Sequence, residues 1–564
     1  ATVDPLTLID VDGNLADVPL EFRDTNPASI PARPGGALVV SSGHSIQWPG
    51  FTIFAPDGHW DLSEWQRIST TITNVGDARL EVGLRIDGPG ADEQENRRVQ
   101  VVGDIAPGDS LELTANLLRT PWTLEESFEI VGMRAAPGQA TIDAAHVEKI
   151  IIFIARPDRD HRFLVGDLTL HGRAEPLDVT HFFPFIDRYG QFVHVDWPGK
   201  IHADEDFARN LELEATELSA QPSTADRSRF GGWSAGPRFE ATGYFRPLKH
   251  EGHWWLVDPE GYLFWSHGID CVNTNYGTGL PDRETYYADL PASDDPLGQF
   301  YGQSTWGGAN SYYSGRTPFR TYNHRQANLW RKYGADWPDD FADLAHQRLR
   351  SWGFNTIANW SDPAVYLQRR TPYAAAVWIG APQLEGSQGY WRKFHDVYDP
   401  GFRQTVREAL ATRQTEATDP WCIGFFVDNE LAWGDETNLG TATLLSPPQQ
   451  AAKQVFIGQL RAQYGTIDAL NAAWSTRHAS WQALTDHREA PPETAGSRAD
   501  LIAFTDSTAR TYFRTIKQEL AALAPEQLYL GVRFAWQNDV VVRAAIDYCD
   551  VVSFNRYQYS IADV

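Results

Sequence analysis

Apolar and polar positions alternate in short runs along the first 175 residues, and turn dipeptides separate these runs. Residues 80–86, 110–115 and 149–154 are examples of the runs, and Asp57-Gly58 and Pro137-Gly138 are examples of the turns. Side chains of a β-strand point alternately to the two faces of a sheet, so a period of two predicts strands. Asp-Gly and Pro-Gly predict tight turns. Because no helical period is present, we expect residues 1–175 to form an all-β, jelly-roll-like sandwich.

The pattern changes at about residue 251, where apolar runs begin to alternate with stretches of helical period. Runs that are apolar throughout are typical of parallel strands buried on both faces, and alternation with helices predicts a parallel sheet, open or closed. No glycine-rich phosphate motif follows a strand, which argues against a nucleotide-binding doubly wound sheet. The strand-like runs are residues 262–269, 355–359, 374–379, 422–427, 528–534 and 551–555.

We therefore expect a multidomain protein in which a (β/α)8 TIM barrel at residues 251–564 follows the sandwich. A closed barrel of this kind needs eight strands, whereas the pattern gives six, so the last strands are expected to lie outside this chain. Residues 176–250 are expected to be a connector that contains one helix, near residues 204–219.

Composition narrows the classes of partner. The net charge is −26, which argues against nucleic acid and anionic membranes, because both bind basic surfaces. No apolar run reaches the roughly 18 residues that a membrane-spanning helix needs. The chain begins Ala1-Thr2-Val3 without an initiator Met, as expected of a secreted, extracellular or periplasmic protein after signal removal, and equally of a trimmed chain.

The sequence requires no metal, cofactor or disulfide. The three cysteines, Cys271, Cys422 and Cys549, lie far apart in or beside predicted strands, which predicts buried free thiols rather than a disulfide framework. No Cys/His spacing indicates zinc. The Asp-Arg-Asp-His stretch at 158–161 could hold a structural Ca²⁺ in the sandwich, although a polar hairpin turn is the simpler interpretation.

The candidate catalytic group is Glu430, which follows the apolar run 422–427 in the segment Asp428-Asn429-Glu430. The carboxyl ends of barrel strands surround the active site, so a polar cluster at a strand end is typical of catalysis. A glutamic acid there can protonate a glycosidic oxygen if burial or a second carboxylate raises its pKa. Asn429 can donate hydrogen bonds to a sugar hydroxyl beside the scissile bond. The alternative is that Asn429 and Glu430 only cap the next helix.

Other polar and aromatic side chains follow predicted strands, where they could contact a sugar. Flat apolar rings suit the C–H faces of sugars, although each of these side chains could instead pack in the core. The aromatic loop at 297–330 is expected to help build the cleft, or to form a lid without ligand contact. The substrate-binding candidates are His267, Asp270, Asn359, Trp360, Arg533, Trp536, Asn555 and Tyr557.

Six segments share the motifs of one glycosidase family. They are FIDRYGQ at 185–191, DWPGKI at 196–201, GHWWLVDPEG at 252–261, FWSHGID at 264–270, GFNTIANW at 353–360 and DNE at 428–430. From about residue 180 to its end, the chain thereby resembles glycoside hydrolase family 50, the β-agarase family, whose usual domain order it also matches. The segment YGTIDALN at 464–471 is less specific, because several barrel glycosidase families share it.

The resemblance implies a retaining mechanism with two glutamates, whose carboxyl groups lie about 5–5.5 Å apart. Glu430 matches the acid/base that ends the fourth barrel strand, and Asn429 matches the asparagine before it. The family's nucleophile ends the seventh strand. No Glu follows Tyr557, so we expect the nucleophile to lie beyond Val564. Glu385, past the third strand, is the nearest alternative, but the topology places it wrongly.

The sequence thus predicts a retaining glycoside hydrolase that cleaves β-1,4-galactosidic bonds of agarose to neoagaro-oligosaccharides such as neoagarobiose. One alternative is a β-galactosidase or another red-algal galactan hydrolase of the same barrel clan. The other is a non-catalytic polysaccharide-binding protein, because the second glutamate is not found. The expected partner is a polysaccharide, and the sandwich is expected to be a carbohydrate-binding module or a structural domain. Exo or endo action and the oligomeric state stay open.

Overall fold

The computed structural model describes residues 4–557, apart from residues 12, 14, 30–36, 93–96, 118–141, 174–181 and 307–311. The chain divides into two compact units. The first unit comprises Ala1–Asp187, Phe192–His194 and Asp282–Ala288. The second comprises Arg188–Gln191, Val195–Pro281 and Asp289–Val564.

The first unit contains two antiparallel sheets. Its strands are β1 (Leu6–Ile9), β2 (Leu20–Arg23), β3 (Thr25–Ser29), β4 (Leu38–Ser42), β5 (Gly50–Phe54), β6 (Trp65–Asn74), β7 (Leu80–Asp87), β8 (Arg98–Ile105), β9 (Ser110–Asn116), β10 (Lys149–Ile154), β11 (His161–Val165) and β12 (Leu168–Arg173). One sheet has the order β1-β12-β6-β11-β4-β3, with β9 also paired to β6. The other has the order β2-β5-β10-β7-β8.

Alternate side chains of these strands form a single apolar core, as the period of two predicts. Ile68 and Ile72 of β6, together with Val82 and Leu84 of β7, are completely buried in it. Residues 163–170 also alternate in the sequence as if they formed one strand, but β11 ends and β12 begins within that run. The chain crosses β6 between them at Gly166, where a Cβ would lie 3.3 Å from the carbonyl oxygen of Thr71.

The second unit contains the remaining strands and all of the α-helices among the described residues. The strands are β13 (Arg246–His250), β14 (His253–Val257), β15 (Leu263–Phe264), β16 (Gly268–Ile269), β17 (Thr278–Gly279), β18 (Tyr301–Ser304), β19 (Phe319–Tyr322), β20 (Thr356–Ile357), β21 (Tyr373–Val377), β22 (Cys422–Val427) and β23 (Leu528–Tyr529). The helices are α1 (Glu205–Ala220), α2 (His324–Tyr333), α3 (Trp337–Ser351), α4 (Pro363–Tyr366), α5 (Phe402–Ala411), α6 (Gln414–Ala417), α7 (Asn438–Leu445), α8 (Ala451–Tyr464), α9 (Ile467–Trp474), α10 (Trp481–Asp486), α11 (Ala495–Leu523) and α12 (Asp539–Tyr548).

A parallel sheet of order β16-β20-β21-β22-β23 organises the second unit. Every neighbouring pair in it is parallel. Beyond β23, Phe534 forms a parallel bridge with Phe554, so the sixth predicted run continues the same order. In the part of the chain that the structure describes, the sheet therefore has five strands and one further bridge, not the eight strands of a closed barrel.

The predicted first barrel strand, 262–269, is wrong in its first half. Leu263 and Phe264 pair antiparallel with β14, in a separate sheet with β13, and only Gly268 and Ile269 join the parallel sheet. No turn dipeptide separates the two parts, so the sequence pattern did not show where the chain leaves one sheet for the other. As a consequence, His267 lies before β16, at the amino end of the parallel sheet.

Helices cover the buried face of the parallel sheet, as strand–helix alternation predicts. Tyr512, Phe513 and Ile516 of the 29-residue helix α11 are fully buried in the same core as Phe425 of β22. The predicted aromatic loop at 297–330 contains β18, β19 and the start of α2. None of the described helices combines the length and the apolar character needed to cross a bilayer.

The close approach of β22 to β23 can be tested at Gly424. A Cβ at this residue would lie 2.3 Å from the carbonyl oxygen of Leu528, so Gly424→Ala must push β23 away. We expect the free energy of unfolding to fall by about 1–3 kcal/mol, measured as a lower urea midpoint with an unchanged slope. Gly458→Ala is the control: this exposed glycine of α8 has open space around its Cβ, and the change should be neutral or stabilising by up to about 1 kcal/mol. Equal midpoints for Gly424→Ala and the wild type would contradict the close packing.

Candidate active site

Glu430 lies just past the carboxyl end of β22, where the backbone turns sharply. Asp428 and Glu430 have φ angles of +59° and +51°, in the left-handed region that residues other than glycine rarely adopt. The Glu430 N–H donates to the carbonyl oxygen of Arg533 at 3.3 Å, which ties the turn to the segment after β23. Glu430 is 6% exposed. The helix-cap alternative is wrong, because the next helix, α7, begins at Asn438.

Three donors from two segments of the chain hold the Glu430 carboxylate. The indole N–H of Trp391 donates to Oε2 at 2.8 Å. The amide Nδ2 of Asn555 donates to Oε1 at 2.8 Å, and the hydroxyl of Tyr557 donates to the same oxygen. Both carboxylate oxygens are thus engaged, which fixes the plane of the carboxylate. The structure brings the sequence candidates Asn555 and Tyr557 into direct contact with Glu430.

The pKa of Glu430 lies below its ordinary value. Burial raises the pKa, but hydrogen bonds from Tyr557, Asn555 and Trp391 and the positive charge of Arg533 lower it by more. These surroundings therefore do not by themselves give the raised pKa that acid catalysis requires, because each donor stabilises the ionised form. The contact has a reciprocal effect, since the hydrogen bond to Glu430 raises the pKa of Tyr557.

Asn429 lies beside Glu430 and shares a partner with it. Its Oδ1 accepts a hydrogen bond from Nδ2 of Asn555 at 3.3 Å, while the same nitrogen donates to Glu430. This contact orients the Asn429 side chain, which leaves its amide nitrogen as the end that can donate to a sugar hydroxyl.

Asp428 fixes the carboxyl end of β22 through the hydrogen bonds of its carboxylate. It is 2% exposed, and its Oδ2 accepts from the hydroxyl of Tyr512 at 2.8 Å and contacts Nε2 of His395 at 3.0 Å. Its Oδ1 accepts from the backbone N–H of Ile379 at 3.1 Å and from the Arg392 guanidinium. Burial raises the pKa of Asp428, but His395 and Arg392 bring it below its ordinary value. The carboxylate is therefore ionised and fully bonded.

Arg533, which lies after β23, connects the end of β16 with the segment that follows the Phe534–Phe554 bridge. Its Nη2 donates to Oδ2 of Asp270 at 3.0 Å, and its Nε donates to Oδ1 of Asn555 at 3.0 Å. Asn555 in turn contacts Glu430, so a continuous chain of polar contacts runs from the end of β16 to the end of β22. Parallel strands place their carboxyl ends at one edge, which is why residues so far apart in sequence meet here.

Two aromatic pairs contribute to this edge of the sheet. The rings of Trp360 and Trp378 stack at a centroid distance of 5.2 Å, and those of Tyr390 and Trp536 lie 5.9 Å apart. Trp378, Tyr390 and Trp536 are 46%, 40% and 42% exposed. Large exposed rings near a buried carboxylate provide flat apolar surfaces on which a sugar can stack.

The sequence pattern missed the segment that supplies Trp391, Arg392 and His395. These residues lie between β21 and α5, where the described chain forms no strand or helix, so neither period marks them. The available signal was composition alone: aromatic and basic residues are concentrated after the third predicted strand, on the side where the active site was expected.

Two other sequence candidates lie in different surroundings. Asn359 follows β20 and is 1% exposed, and its side-chain amide has no hydrogen-bond partner among the described residues. His267 was expected at the carboxyl end of the first strand, and this placement is wrong. Its ring packs edge-on against Phe354, at the amino end of the sheet.

The side chain of Glu385, the alternative nucleophile of the sequence analysis, is paired with a lysine. It forms an exposed ion pair with Lys393, with Oε2 and Nζ 3.0 Å apart. The expectation of three buried thiols is also wrong, because Cys271, at the carboxyl end of β16, is exposed. The two-residue strand ends before it and leaves it outside the core.

The two aspartates of the candidate Ca²⁺ stretch face different partners. Asp158 pairs with Arg159 at 3.1 Å, and Asp160 contacts Nδ1 of His44 at 2.8 Å. Within the described ranges, no group of three or more His, Cys, Asp and Glu side chains could hold a metal ion.

Known sequences similar to this chain include a beta-galactosidase family model and two beta-agarases. A family model described as beta-galactosidase matches residues 359–563. Two relatives from Vibrio sp. (strain JT0107) match 93% of this chain: beta-agarase B at 30% identity and beta-agarase A at 28%. The chain spans 60% of the length of the first and 56% of the second.

Solved agarase structures share the fold. The agarase AgWH50C has a TM-score of 0.71 at 28% identity, over 99% of this chain and 83% of its own. An exo-beta-agarase has a TM-score of 0.72 at 26% identity, over 97% of this chain and 83% of its own. PfGH50B has a similar fold, with a TM-score of 0.73 at 24% identity over the same shares. The resemblance to the β-agarase family is confirmed.

The anchoring role of Asp428 predicts a large effect of a small change. Asp428→Asn removes the charge but leaves the Arg392 guanidinium beside it, so the free energy of unfolding should fall by about 3–5 kcal/mol in chemical denaturation. Asp468→Asn, at an exposed position in the first turn of α9, is the matched control and should change stability by no more than about 0.5 kcal/mol. A loss at Asp428 as small as that at Asp468 would contradict the anchoring role.

Proposed function

We propose that this chain, a relative of the glycoside hydrolase family 50 agarases, hydrolyses the β-1,4-galactosidic bonds of agarose with Glu430 as acid/base. The observation that carries the proposal is a buried strand-end glutamate that three side-chain donors hold in one orientation. The substrate class rests on the two Vibrio relatives, which are both beta-agarases. The proposed products are neoagaro-oligosaccharides such as neoagarobiose.

The proposed mechanism retains configuration at the anomeric carbon. Glu430 gives its proton to the glycosidic oxygen while a second glutamate, on a later barrel strand and about 5–5.5 Å away, attacks the anomeric carbon. The bond to the leaving sugar breaks, and a glycosyl ester forms. Glu430, now ionised, takes a proton from water, whose oxygen attacks the same carbon and releases the second glutamate. Asn429 is proposed to hold the neighbouring sugar hydroxyl through both steps.

The hydrogen bonds around Glu430 favour the second step, in which it acts as a base, more directly than the first step, in which it acts as an acid. Trp391, Asn555 and Tyr557 stabilise the carboxylate, which is the form that accepts a proton from water. A second negative charge nearby raises the pKa of a carboxyl group, so the nucleophile itself would supply the protonated form at the start. Formation of the ester removes that charge, and the pKa of Glu430 then falls to the value that its three donors set.

The rest of the architecture is proposed to serve the same reaction. The five-stranded parallel sheet and the Phe534–Phe554 bridge would form part of a closed (β/α)8 barrel, whose carboxyl-end rim carries the aromatic pairs and Arg533. Residues 1–175 are proposed to bind carbohydrate, with residues 176–250 as connector and 251–564 as the catalytic barrel. We also propose that the protein is secreted, because agarose is too large to enter a cell.

A second candidate is hydrolysis of a smaller β-galactoside. The matching family model is described as beta-galactosidase, and its range, 359–563, includes both Asn429 and Glu430. Product analysis separates the two: release of neoagaro-oligosaccharides from agarose supports the first candidate, and release of galactose from a β-galactoside without attack on agarose supports the second.

The role of Glu430 predicts that Glu430→Gln abolishes proton transfer without preventing binding. We expect kcat on agarose to fall by about 10²–10⁴-fold, measured by reducing-end release from the full-length protein. Binding of an agaro-oligosaccharide, measured by calorimetry, should persist. Glu385→Gln is the control, because that exposed side chain pairs with Lys393 and should leave kcat unchanged. Undiminished activity of Glu430→Gln would exclude the proposed role.

The pKa of Glu430 predicts the direction of a pH shift. Trp391→Phe removes a hydrogen bond that stabilises the ionised carboxylate, so the pKa of Glu430 should rise. The protonated acid then persists to higher pH, and the basic limb of the kcat/KM profile should move to higher pH. Trp254→Phe, at an exposed tryptophan of β14, should leave that limb in place. A shift of the basic limb to lower pH in Trp391→Phe would contradict the assignment of that limb to Glu430.

A further inference from the structure

A basic pocket of about 450 Å³ lies in the second unit, at the end of the parallel sheet opposite Glu430. Asn355, Pro372 and Trp421 line it, and they immediately precede β20, β21 and β22. Glu430 follows the other end of β22, a strand of six residues, so about 20 Å of strand separates the pocket from the candidate active site. The pocket therefore does not belong to the proposed catalytic cleft.

Positively charged side chains line the pocket, although the protein as a whole is acidic. Its lining includes five arginines and no Asp or Glu among the described residues, although acidic residues outnumber basic ones 74 to 48 in the chain. Hydroxyl groups add further donors from the same walls. The arginines are Arg227, Arg229, Arg350, Arg369 and Arg370, and the hydroxyl residues are Ser223, Thr224, Ser228 and Thr371.

Two of the arginines are neutralised from outside the pocket. Arg369 pairs with the buried Asp419, with Nε and Oδ2 3.2 Å apart, and Arg370 pairs with Asp343. These ion pairs hold the two guanidinium groups at the pocket wall. They neutralise two of the five arginine charges, so three arginines remain without a carboxylate partner within the described ranges.

The other three guanidinium groups have no carboxylate within 4 Å in the described structure. Arg227 donates only to neutral acceptors, including the carbonyl oxygens of Gly231 at 2.9 Å and Gly353 at 3.3 Å. Arg229 lies over the rings of Phe230 and Trp421, with its guanidinium carbon 5.3 and 5.5 Å from their centroids. An arginine that stacks on aromatic rings keeps its N–H edge free for an anion.

Arg350 is held close to like charge. Burial is the main cause that lowers the pKa of Arg350, and the charge of Arg370 lowers it further. The charge of Asp343 raises it, but by less. Arg350 therefore lines the pocket without a carboxylate partner of its own among the described residues. An anion in the pocket would interact favourably with it and with the other arginines that have no such partner.

We propose that this pocket binds a tetrahedral oxyanion of the sulfate or phosphate type. Five arginines line one space, and each guanidinium group carries a planar fork of N–H donors. A single carboxylate can satisfy one such fork, whereas a tetrahedral group with three or four oxygens can satisfy several. The same chemistry occurs as a free anion and as a sulfate ester on a galactan, so the experiment must separate these two sources.

The test is calorimetric titration of the full-length protein with sodium sulfate, against sodium chloride at equal ionic strength. We expect one sulfate site, with binding about tenfold weaker in Arg229→Gln and in Arg350→Gln because each change removes a charged hydrogen-bond donor. Arg514→Gln, at an exposed arginine of α11 outside the pocket, has the same charge change and should bind as the wild type does. Circular dichroism of each variant verifies the fold.

A second titration uses a sulfated galactan oligosaccharide and its desulfated form. Tighter binding of the sulfated form than of free sulfate, lost in Arg229→Gln, supports the proposal and identifies an ester as the source. Binding of free sulfate alone also supports the proposal and identifies a small anion. Sulfate binding no stronger than chloride binding, or equal binding by wild type, Arg229→Gln and Arg350→Gln, would overturn it. None of these readouts requires cleavage of agarose, so the result is independent of the proposed activity.

Discussion

The buried charge of Asp428 is the constraint on which the candidate active site depends. A carboxylate that is 2% exposed must be paired and hydrogen-bonded, because an isolated charge in a protein interior is strongly unfavourable. Its partners come from the segment after β21, through Arg392 and His395, and from α11, through Tyr512. Satisfying this one charge therefore draws an irregular segment and a long helix to the end of β22. The same segment delivers Trp391, one residue before Arg392, to the carboxylate of Glu430.

The electrostatics of Glu430 follow from that arrangement and set a condition on the chemistry. Donors that orient a carboxylate also stabilise its charge, so accurate positioning lowers the pKa that an acid catalyst needs to have high. Firm orientation and acid catalysis are compatible only if another group raises the pKa of Glu430 in the first step. In the proposed mechanism the second glutamate does this, and it ceases to do so when it becomes an ester. Orientation by Trp391, Asn555 and Tyr557 and acidity control by the nucleophile are thus separate functions of separate groups.

The sequence predicted the elements that have a local period and the site residues that lie at the ends of predicted strands. Residues 422–427 are apolar throughout and followed by Asp-Asn-Glu, and β22 has those bounds. Asp270, Arg533 and Asn555 lie at or just past the carboxyl ends of strand-like runs, and these ends meet because the strands are parallel. His267 was misplaced because one apolar run, 262–269, contains parts of two sheets. Trp391 and His395 were missed because they lie in irregular chain whose position is set by a buried charge rather than by a period. The direction of the Glu430 pKa depends on hydrogen-bond donors from two distant segments and on the charge of Arg533, and no local pattern contains these groups.

The two ends of β22 are held in the same way, although they present opposite charges. At the amino end, the buried Asp419 accepts from the hydroxyl of Tyr373 at 3.0 Å, from the backbone N–H of Trp421 at 3.1 Å and from Arg369. At the carboxyl end, Asp428 accepts from a tyrosine hydroxyl, a backbone N–H and an arginine in turn. In each case a buried aspartate fixes the strand and orients an arginine. Arg369 at the amino end lines the basic pocket, whereas Arg392 at the carboxyl end lies over the ring of Trp378, with its guanidinium carbon 5.4 Å from the ring centroid. A strand pinned at both ends can therefore hold a carboxylate at one edge of the sheet and an anion-binding surface at the other, because the two are separated by its whole length.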